Sequence, residues 1–280
     1  MMSSARTGQS YVAAAAAVVL LASPGLGAWQ GRPASPPAPQ GPPKPAVPSD
    51  RQVPFPIGEL LTYNVSFSGF ITAGTATLNV KERRPATGRG AYDIEAIAIP
   101  SAAVQVVKQL YFKLETLLDT ANLSPNYAVT YANEGGRVKI KTTKWLGPTT
   151  VDFTIQTNGT LTEKRTLAPQ TQDALSLIYV LRVLMNNAAA QDGRTLPIPF
   201  TDGGDMYYLN VKVAAREPVK TPAGTFPALR VTSVVEDGAH KPIPGRKLTI
   251  WLSDDARRLP LKFETTIAIG SFVLTLNKVQ

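Results

Sequence analysis

The chain has 280 residues, carries a formal net charge of +9, and contains no cysteine and a single histidine. The lack of cysteine excludes disulfides, thiolate nucleophiles and cysteine-ligated zinc or iron–sulfur centres. One histidine gives little basis for a Ser-His-Asp triad or a transition-metal site. The positive charge suits an anionic partner and is equally a common aid to solubility.

Residues 1–28 have the layout of a secretory signal peptide. Arg6 precedes an apolar run over residues 12–22, and Ser23-Pro24-Gly25 then breaks the helix ahead of small residues suited to cleavage. The run is short for a transmembrane span, although an uncleaved anchor is the alternative. The sequence therefore predicts a periplasmic protein, soluble after cleavage, and export argues against nucleic acid as its partner.

Residues 29–54 are rich in proline and predict a disordered, semi-rigid tether. A single β domain is predicted over residues 55–280, with strands in 59–165, a helix at 171–187 and strands in 196–279. Alternating apolar and polar residues mark the strands, and Asn158-Gly159 between two such runs is a strong hairpin signal. Even spacing of short strands indicates an antiparallel meander.

The helix predicted at residues 171–187 has an unusually wide apolar face. Thr171 is the predicted N-cap, and Asp173 complements the positive end of the helix. The polar positions form a stripe about one residue wide: Gln172, Ser176, Tyr179, Arg182 and Asn186. Such a helix must be buried on most of its perimeter. The predicted fold is therefore mainly β, a curved antiparallel sheet or open half-barrel with this helix in its concave side.

The candidate ligand-binding residues are three cations and three large apolar side chains. Arg137, Lys139 and Lys141 alternate along one strand and so share a face. They could receive a lipid headgroup while the acyl chains enter the concavity against apolar residues such as Leu177, Leu181 and Trp251. The alternative is that the cations are the solvated side of an antiparallel sheet.

Other polar clusters have simpler interpretations. Asp202-Gly203-Gly204-Asp205 could bind a hard cation or serve acid–base hydrolysis, but a solvated hairpin turn is the simpler reading. His240 is interpreted as a solvated turn residue. Asp254-Asp255 followed by Arg257-Arg258 is interpreted as a locally neutralised surface turn. We predict no catalytic residue, metal site or cofactor.

Five segments together point to a family. They are Gly58-Glu59-x-Leu61-x-Tyr63; Ala73-Gly74-x-Ala76-x-Leu78; Asp173-x-Leu175-Ser176-x-x-Tyr179-x-x-Arg182; Glu217-x-Val219-x-x-Pro222-Ala223-Gly224-x-Phe226; and Trp251-Leu252-Ser253-Asp254-Asp255-x-Arg257-Arg258-Leu259-Pro260-x-Lys262. In that order the chain, from about residue 55 to its end, resembles the exported bacterial proteins grouped as domain of unknown function 3108. That resemblance implies no binding or catalytic residues. The last segment is also similar to periplasmic lipoprotein carriers, which implies a half-barrel around a helical lid but not a ligand.

Three functions are consistent with these features. The first is a non-enzymatic periplasmic protein that binds an amphipathic envelope component, such as a lipid or lipoprotein, in the concavity. The second is a structural or assembly factor of the envelope that acts through a protein partner. The third is a hydrolase of envelope polysaccharide that uses Asp202 and Asp205. We expect a monomer.

Overall fold

The computed structural model describes residues 49–69, 71–86, 88–107, 109–147, 149–167, 170–267 and 270–280. The predicted signal peptide and most of the predicted tether lie outside this part of the chain. No helix within it is both long and apolar enough to cross a membrane.

Strands make up most of the described chain. The strands are β1 (Leu60–Phe67), β2 (Ile71–Ala86), β3 (Arg89–Pro100), β4 (Leu110–Asp119), β5 (Pro125–Glu134), β6 (Arg137–Trp145), β7 (Thr150–Thr157), β8 (Thr160–Leu167), β9 (Leu196–Asp202), β10 (Asp205–Thr221), β11 (Gly224–Asp237), β12 (Lys247–Ser253), β13 (Pro260–Ile267) and β14 (Gly270–Val279). The helices are α1 (Ala102–Val107), α2 (Ala174–Leu184) and a short 3-10 turn (Ala188–Gln191).

The described strands form one antiparallel sheet of fourteen. Neighbours in the chain are neighbours in the sheet, except that β1 pairs with β14 and β8 does not pair with β9. The free edges are therefore β8 and β9, and α2 lies between them in sequence. The predicted fold class, a mainly β protein built on a curved antiparallel sheet with one buried helix, is confirmed.

Side chains bridge the gap that the backbone leaves open between the two edges. Lys141 on β6 contacts Asp202 at 2.7 Å, and Lys164 on β8 contacts Asp205 at 2.7 Å. Trp145 also donates its indole N–H to Thr171 Oγ1 at 3.1 Å, just ahead of α2. These side-chain contacts hold the β9–β10 hairpin against β6 and β8. We call this region of contact between the two edges of the sheet the seam.

The N-terminus of α2 differs from the prediction. Asp173, not Thr171, is the N-cap: its side chain accepts hydrogen bonds from the backbone N–H groups of Leu175 and Ser176, while Ser176 bonds back to the Asp173 N–H. The helix begins and ends about three residues inside the predicted bounds of 171–187. Gln172 instead pairs with β9, where its N–H donates to Pro199 O.

The three polar-stripe residues within α2 are buried, whereas Asn186 beyond its end is exposed. Ser176, Tyr179 and Arg182 are at most 1% exposed. Arg182 forms a two-pronged ion pair with Glu59, at 2.5 and 2.9 Å, and also donates to the carbonyl oxygens of Pro54 and Arg257. The helix is thus surrounded on all sides, and a charged pair inside the fold fixes its orientation.

The last residues of the predicted tether pack on the domain. Asp50 accepts a hydrogen bond from Thr120 and pairs with Arg83, and the Arg51 N–H donates to Thr120 O. Pro54 accepts from Arg182, as noted above. Residues 50, 51 and 54, within the range 29–54 predicted as a tether, therefore contact the β domain through specific polar groups that proline-rich composition does not indicate.

Candidate functional site

The basic row formed by Arg137, Lys139 and Lys141 lies on the inner face of the sheet. Trp145 shares that face and is buried against the start of α2, and Lys141 reaches Asp202 across the seam. Lys141 therefore does not lie on the solvated outer side of the sheet, whereas Arg137, at the other end of the row, is exposed. The facing β9–β10 hairpin supplies Asp202, whose carboxylate makes an inward Lys141 favourable.

A line of apolar residues, three alanines and one phenylalanine, crosses the inner face of the sheet and ends at Lys139. Direct cross-strand partners define it: Ala76 with Ala98, Ala98 with Phe112, Phe112 with Ala132, and Ala132 with Lys139. We call these residues the alanine row. Directly opposite residues in an antiparallel sheet have Cβ atoms about 5 Å apart, so the row is a continuous apolar strip with one ammonium group at its end.

Lys139 is the least compensated cation of the basic row. It is half-buried, and the described ion pairs include none to Lys139. Desolvation and the neighbouring charge of Lys141 lower its pKa, and Asp202 only partly opposes them. A lowered lysine pKa means that the folded protein disfavours the charged form. An anion placed beside Lys139 would relieve that penalty.

The helix α1 covers part of the alanine row. Val104 packs against Ala98, Leu110 and Phe112, while Gln105 exchanges hydrogen bonds with the Leu110 backbone. Deeper in the barrel, a cavity of about 30 Å³ lies between α2 and the sheet, with a nearly apolar lining that includes Ala76, Ala96 and Ile178. That volume holds roughly one water. A hydrocarbon chain would therefore need the space that α1 occupies.

The other predicted ligand residues lie elsewhere. Leu177 and Leu181 are buried core residues of α2. Trp251 lies on the opposite face of β12 from Ile250 and Leu252; its indole N–H donates to Glu217 at 2.6 Å, and Lys262 sits over the ring. The structure thus brings the basic row together but separates it from Trp251. The alanine row was missed, because only the strand register shows which small residues face inward.

Asp202 and Asp205 do not form a free carboxylate pair. Each is occupied by a lysine, Lys141 or Lys164 respectively. Asp202 also lines a cavity of about 30 Å³, of mixed polar and apolar lining, with Thr201 and Asp173, the N-cap of α2. The expected solvated turn is instead part of the seam. No cluster of three or more metal-ligating side chains occurs in the described residues.

Asp173 should give the protein an unusual pH dependence. The carboxyl is fully buried, so desolvation raises its pKa, although hydrogen bonds from Ser176, Leu175 and Thr116 oppose the rise. In the window between the unfolded and folded pKa values, the folded state binds more protons, so this group makes stability fall as pH rises. We expect Asp173→Asn to remove that slope, measured by urea unfolding from about pH 2.5 to 7, a range that also covers the acidic control below.

The control for this prediction is Asp152→Asn. The hydrogen bond from Arg165 lowers the pKa of Asp152, so its contribution to stability is present at neutral pH and is lost on acidification. The two variants should therefore change the pH slope in opposite directions. A wild-type stability that falls more steeply on acidification than that of Asp173→Asn would contradict the assignment.

A second concave surface lies at the other end of the barrel. Residues 51–56, the C-terminal end of α2 and the turn at Ala256 and Arg257 enclose an open groove of about 690 Å³, which we call the distal groove. Arg258, which was interpreted as part of a surface turn, is buried here and bonds to Asn186 and Asp254. His240 lies apart from both sites, exposed and stacked on Tyr208.

Comparison with known proteins identifies the family. The family model described as "Protein of unknown function (DUF3108)" matches residues 62–277. The chain belongs to the DUF3108 family. The resemblance carried by the five sequence segments is therefore confirmed. No curated protein matches this DUF3108 chain.

The DUF3108 fold is similar to that of solved structures. A β-barrel-like protein of domain of unknown function DUF1849 from Brucella abortus matches with a TM-score of 0.53 and 10% identity, over 83% of this chain and 99% of that one. Lower TM-scores of 0.35 and 0.30 come from a candidate lipoprotein of Parabacteroides distasonis and a candidate exported protein with a YmcC-like fold from Bacteroides fragilis, at 9% and 10% identity, each over 83% of this chain and 100% of the other. At such identities the first match concerns the fold alone.

Proposed function

We propose that this DUF3108 protein is a non-enzymatic protein of the periplasm that binds an anionic amphiphile of the cell envelope. The headgroup contacts Lys139, and the hydrocarbon lies along the alanine row beneath α1. The observation that carries the proposal is a half-buried lysine, without a carboxylate partner in the described chain, at the end of an inward apolar strip. The signal-like residues 1–28 support the location.

Charge at the site favours an anion over a neutral ligand. Arg137 and Lys141 flank Lys139 on the same face, and the carboxylates of the seam do not fully compensate them. A carboxylate or phosphate would form charge-assisted hydrogen bonds with Lys139, the stronger class of protein hydrogen bond. The apolar residues Ala132 and Phe112 begin immediately next to it, so hydrocarbon attached to the headgroup would lie against them.

The site has room for a chain only if α1 moves. This helix has six residues and contacts the apolar cluster through Val104, while Val106 is 88% exposed. Ala102 and Ala103 are exposed as well, and a short helix with such exposure is inexpensive to displace. The ligand's hydrocarbon would then replace Val104 against Phe112 and Ala98, so little apolar surface becomes exposed.

The test is a binding titration with a fluorescent long-chain fatty acid. Lys139→Glu reverses the charge at the proposed headgroup and should weaken binding at least about tenfold, since a hydrogen bond to a charged group contributes about 1.5–3 kcal/mol. Lys144→Glu is the matched control, because Lys144 is exposed and lies on the outer face of the same strand. Equal affinities for the two variants, or no binding by the wild type, would reject the proposal.

A second candidate is docking of a protein segment in the distal groove. Its volume of about 690 Å³ is much larger than that of the inner cavities, and Arg51 and Arg257 make its rim positive. A photo-crosslinking residue at Gln52 tests this function in cells. A single protein adduct supports docking, and its absence counts against this candidate.

A further inference from the structure

The two free edges of the sheet are protected very differently. On β9, Pro197 and Pro199 remove backbone donors, and Gln172 occupies the neighbouring positions by bonding to Pro199 O and Thr201 N. Prolines and covering segments are common means of blocking an edge strand. On β8, residues 160–165 contain no proline, and no described strand pairs with the outer edge. Within the described chain, the outer edge of β8 is therefore unpaired.

The β7–β8 turn determines which backbone groups face outward. Asn158 and Gly159 both have positive φ, 47° and 87°, as in a two-residue type I′ turn. The flanking pair, Thr157 and Thr160, then exchanges hydrogen bonds within the hairpin. Alternation along β8 directs the N–H and C=O groups of Leu161, Glu163 and Arg165 away from β7, where they can pair with an added strand.

The sequence of β8 is symmetric about Lys164. It reads Leu-Thr-Glu-Lys-Arg-Thr-Leu over residues 161–167, so leucine and threonine recur at equal distances from the centre, and Glu163 and Arg165 place opposite charges on either side of it. Two such strands, placed antiparallel about a two-fold axis at Lys164, would set leucine opposite leucine, threonine opposite threonine, and Glu163 opposite an arginine. Glu163 would face Arg165 of the partner subunit, and the reverse pair would form across the axis.

We propose that β8 pairs with β8 of a second copy of this chain, which joins the two sheets edge to edge. A two-fold interface must be self-complementary, and this register provides that through two Glu–Arg pairs in addition to backbone hydrogen bonds. Glu163 is exposed and has no ion pair among those of the described residues, so it is available to the partner's Arg165. The sequence symmetry thus indicates a second copy of this chain as the partner. The proposed oligomeric state is therefore a dimer and not the expected monomer.

The central lysine does not oppose this pairing. Lys164 would stand opposite Lys164 of the partner subunit, a repulsive arrangement for two free charges. Each, however, already contacts its own Asp205 at 2.7 Å on the inner face. Arg165 contacts Asp152 on the outer face, so it retains a carboxylate on one side and gains the partner's Glu163 on the other.

Sedimentation velocity of the purified full chain from about 1 to 100 µM tests the proposal. The wild type should dimerise, and Glu163→Arg, which sets arginine opposite the partner's Arg165 twice, should raise the dissociation constant about tenfold or more. The double variant Glu163→Arg with Arg165→Glu restores opposite charges and should recover the dimer. Gln156→Arg, exposed on the same face of β7, is the control that leaves association unchanged.

Circular dichroism confirms that each variant is folded, which the exposure of these side chains leads us to expect. A wild type that stays monomeric at 100 µM contradicts the proposal. A dimer that Glu163→Arg leaves intact, or that the folded double variant fails to recover, contradicts it as well.

Discussion

Replacing Arg182 with methionine is expected to lower the free energy of unfolding by about 3–5 kcal/mol, because it leaves the carboxylate of Glu59 buried without its partner. Arg182 is fully buried, and its guanidinium contacts both oxygens of Glu59 and the carbonyl oxygens of Pro54 and Arg257. Its removal also frees those two carbonyls. Urea unfolding followed by circular dichroism measures the change.

Two controls separate burial from charge. Arg216→Met removes an exposed pair with Asp254 and should cost less than about 1 kcal/mol. The double variant Glu59→Leu with Arg182→Met removes both charges and should be more stable than Arg182→Met alone, since no charge remains unpaired. A loss for Arg182→Met no greater than that for Arg216→Met would show that the buried pair does not position α2.

Replacing Gly74 with alanine is expected to destabilise the protein by about 3 kcal/mol, near the top of the range for overpacked sites. A Cβ atom at Gly74 would lie 2.3 Å from the carbonyl oxygen of Ile99 and 2.7 Å from the Cα of Pro100. Both obstacles are backbone atoms of β3, so relief requires β2 and β3 to separate. Thermal unfolding of the variant measures the loss.

Gly90→Ala is the matched control for this clash. A Cβ at Gly90 would meet the Arg83 side chain, with its Nε at 2.6 Å, and that side chain is partly exposed and can turn aside. We expect its cost to stay below about 1 kcal/mol. Comparable losses for both glycine variants would mean that the close approach of β2 and β3 at Gly74 is not a requirement of the fold.

The strand meander and the buried face of β1 were predictable from local signals, whereas the facing of the cationic strand β6 was not. Asn158-Gly159 and the alternation over Leu61, Tyr63 and Val65 specify hairpins and a buried face without reference to distant residues. The orientation of β6 depends instead on Asp202, which lies 61 residues away in sequence. From the sequence alone, a row of cations is expected to face solvent, because the distant carboxylates that pair with it inside the fold are not apparent.

Helix α2 is a second case in which the sequence predicted burial but not the partners of the polar side chains. Its apolar width correctly predicted burial on most of the perimeter, but it did not indicate that Ser176, Tyr179 and Arg182 of the polar stripe are buried as well. The partner of Arg182 is Glu59, 123 positions earlier, and no helical periodicity reports such a contact. Glu59 and Arg182 both occur in the segments that carry the family resemblance, but those segments do not indicate that the two side chains are in contact.

The candidate site follows from the same open architecture. Because β8 and β9 remain unpaired, the inner face of β6 meets the β9–β10 hairpin through side chains. Lys141 and Lys164 use the two carboxylates of that hairpin, which leaves Lys139 beside the alanine row with no acidic partner among the described ion pairs. An anionic headgroup would supply the missing charge.

Lipid extraction and mass spectrometry of the protein recovered from the periplasm tests the proposed binding most directly. The account predicts that an anionic single- or double-chain amphiphile accompanies the wild type and Lys144→Glu in similar amounts and is lost from Lys139→Glu. Recovery of no amphiphile from the wild type, or of equal amounts from Lys139→Glu, would contradict it.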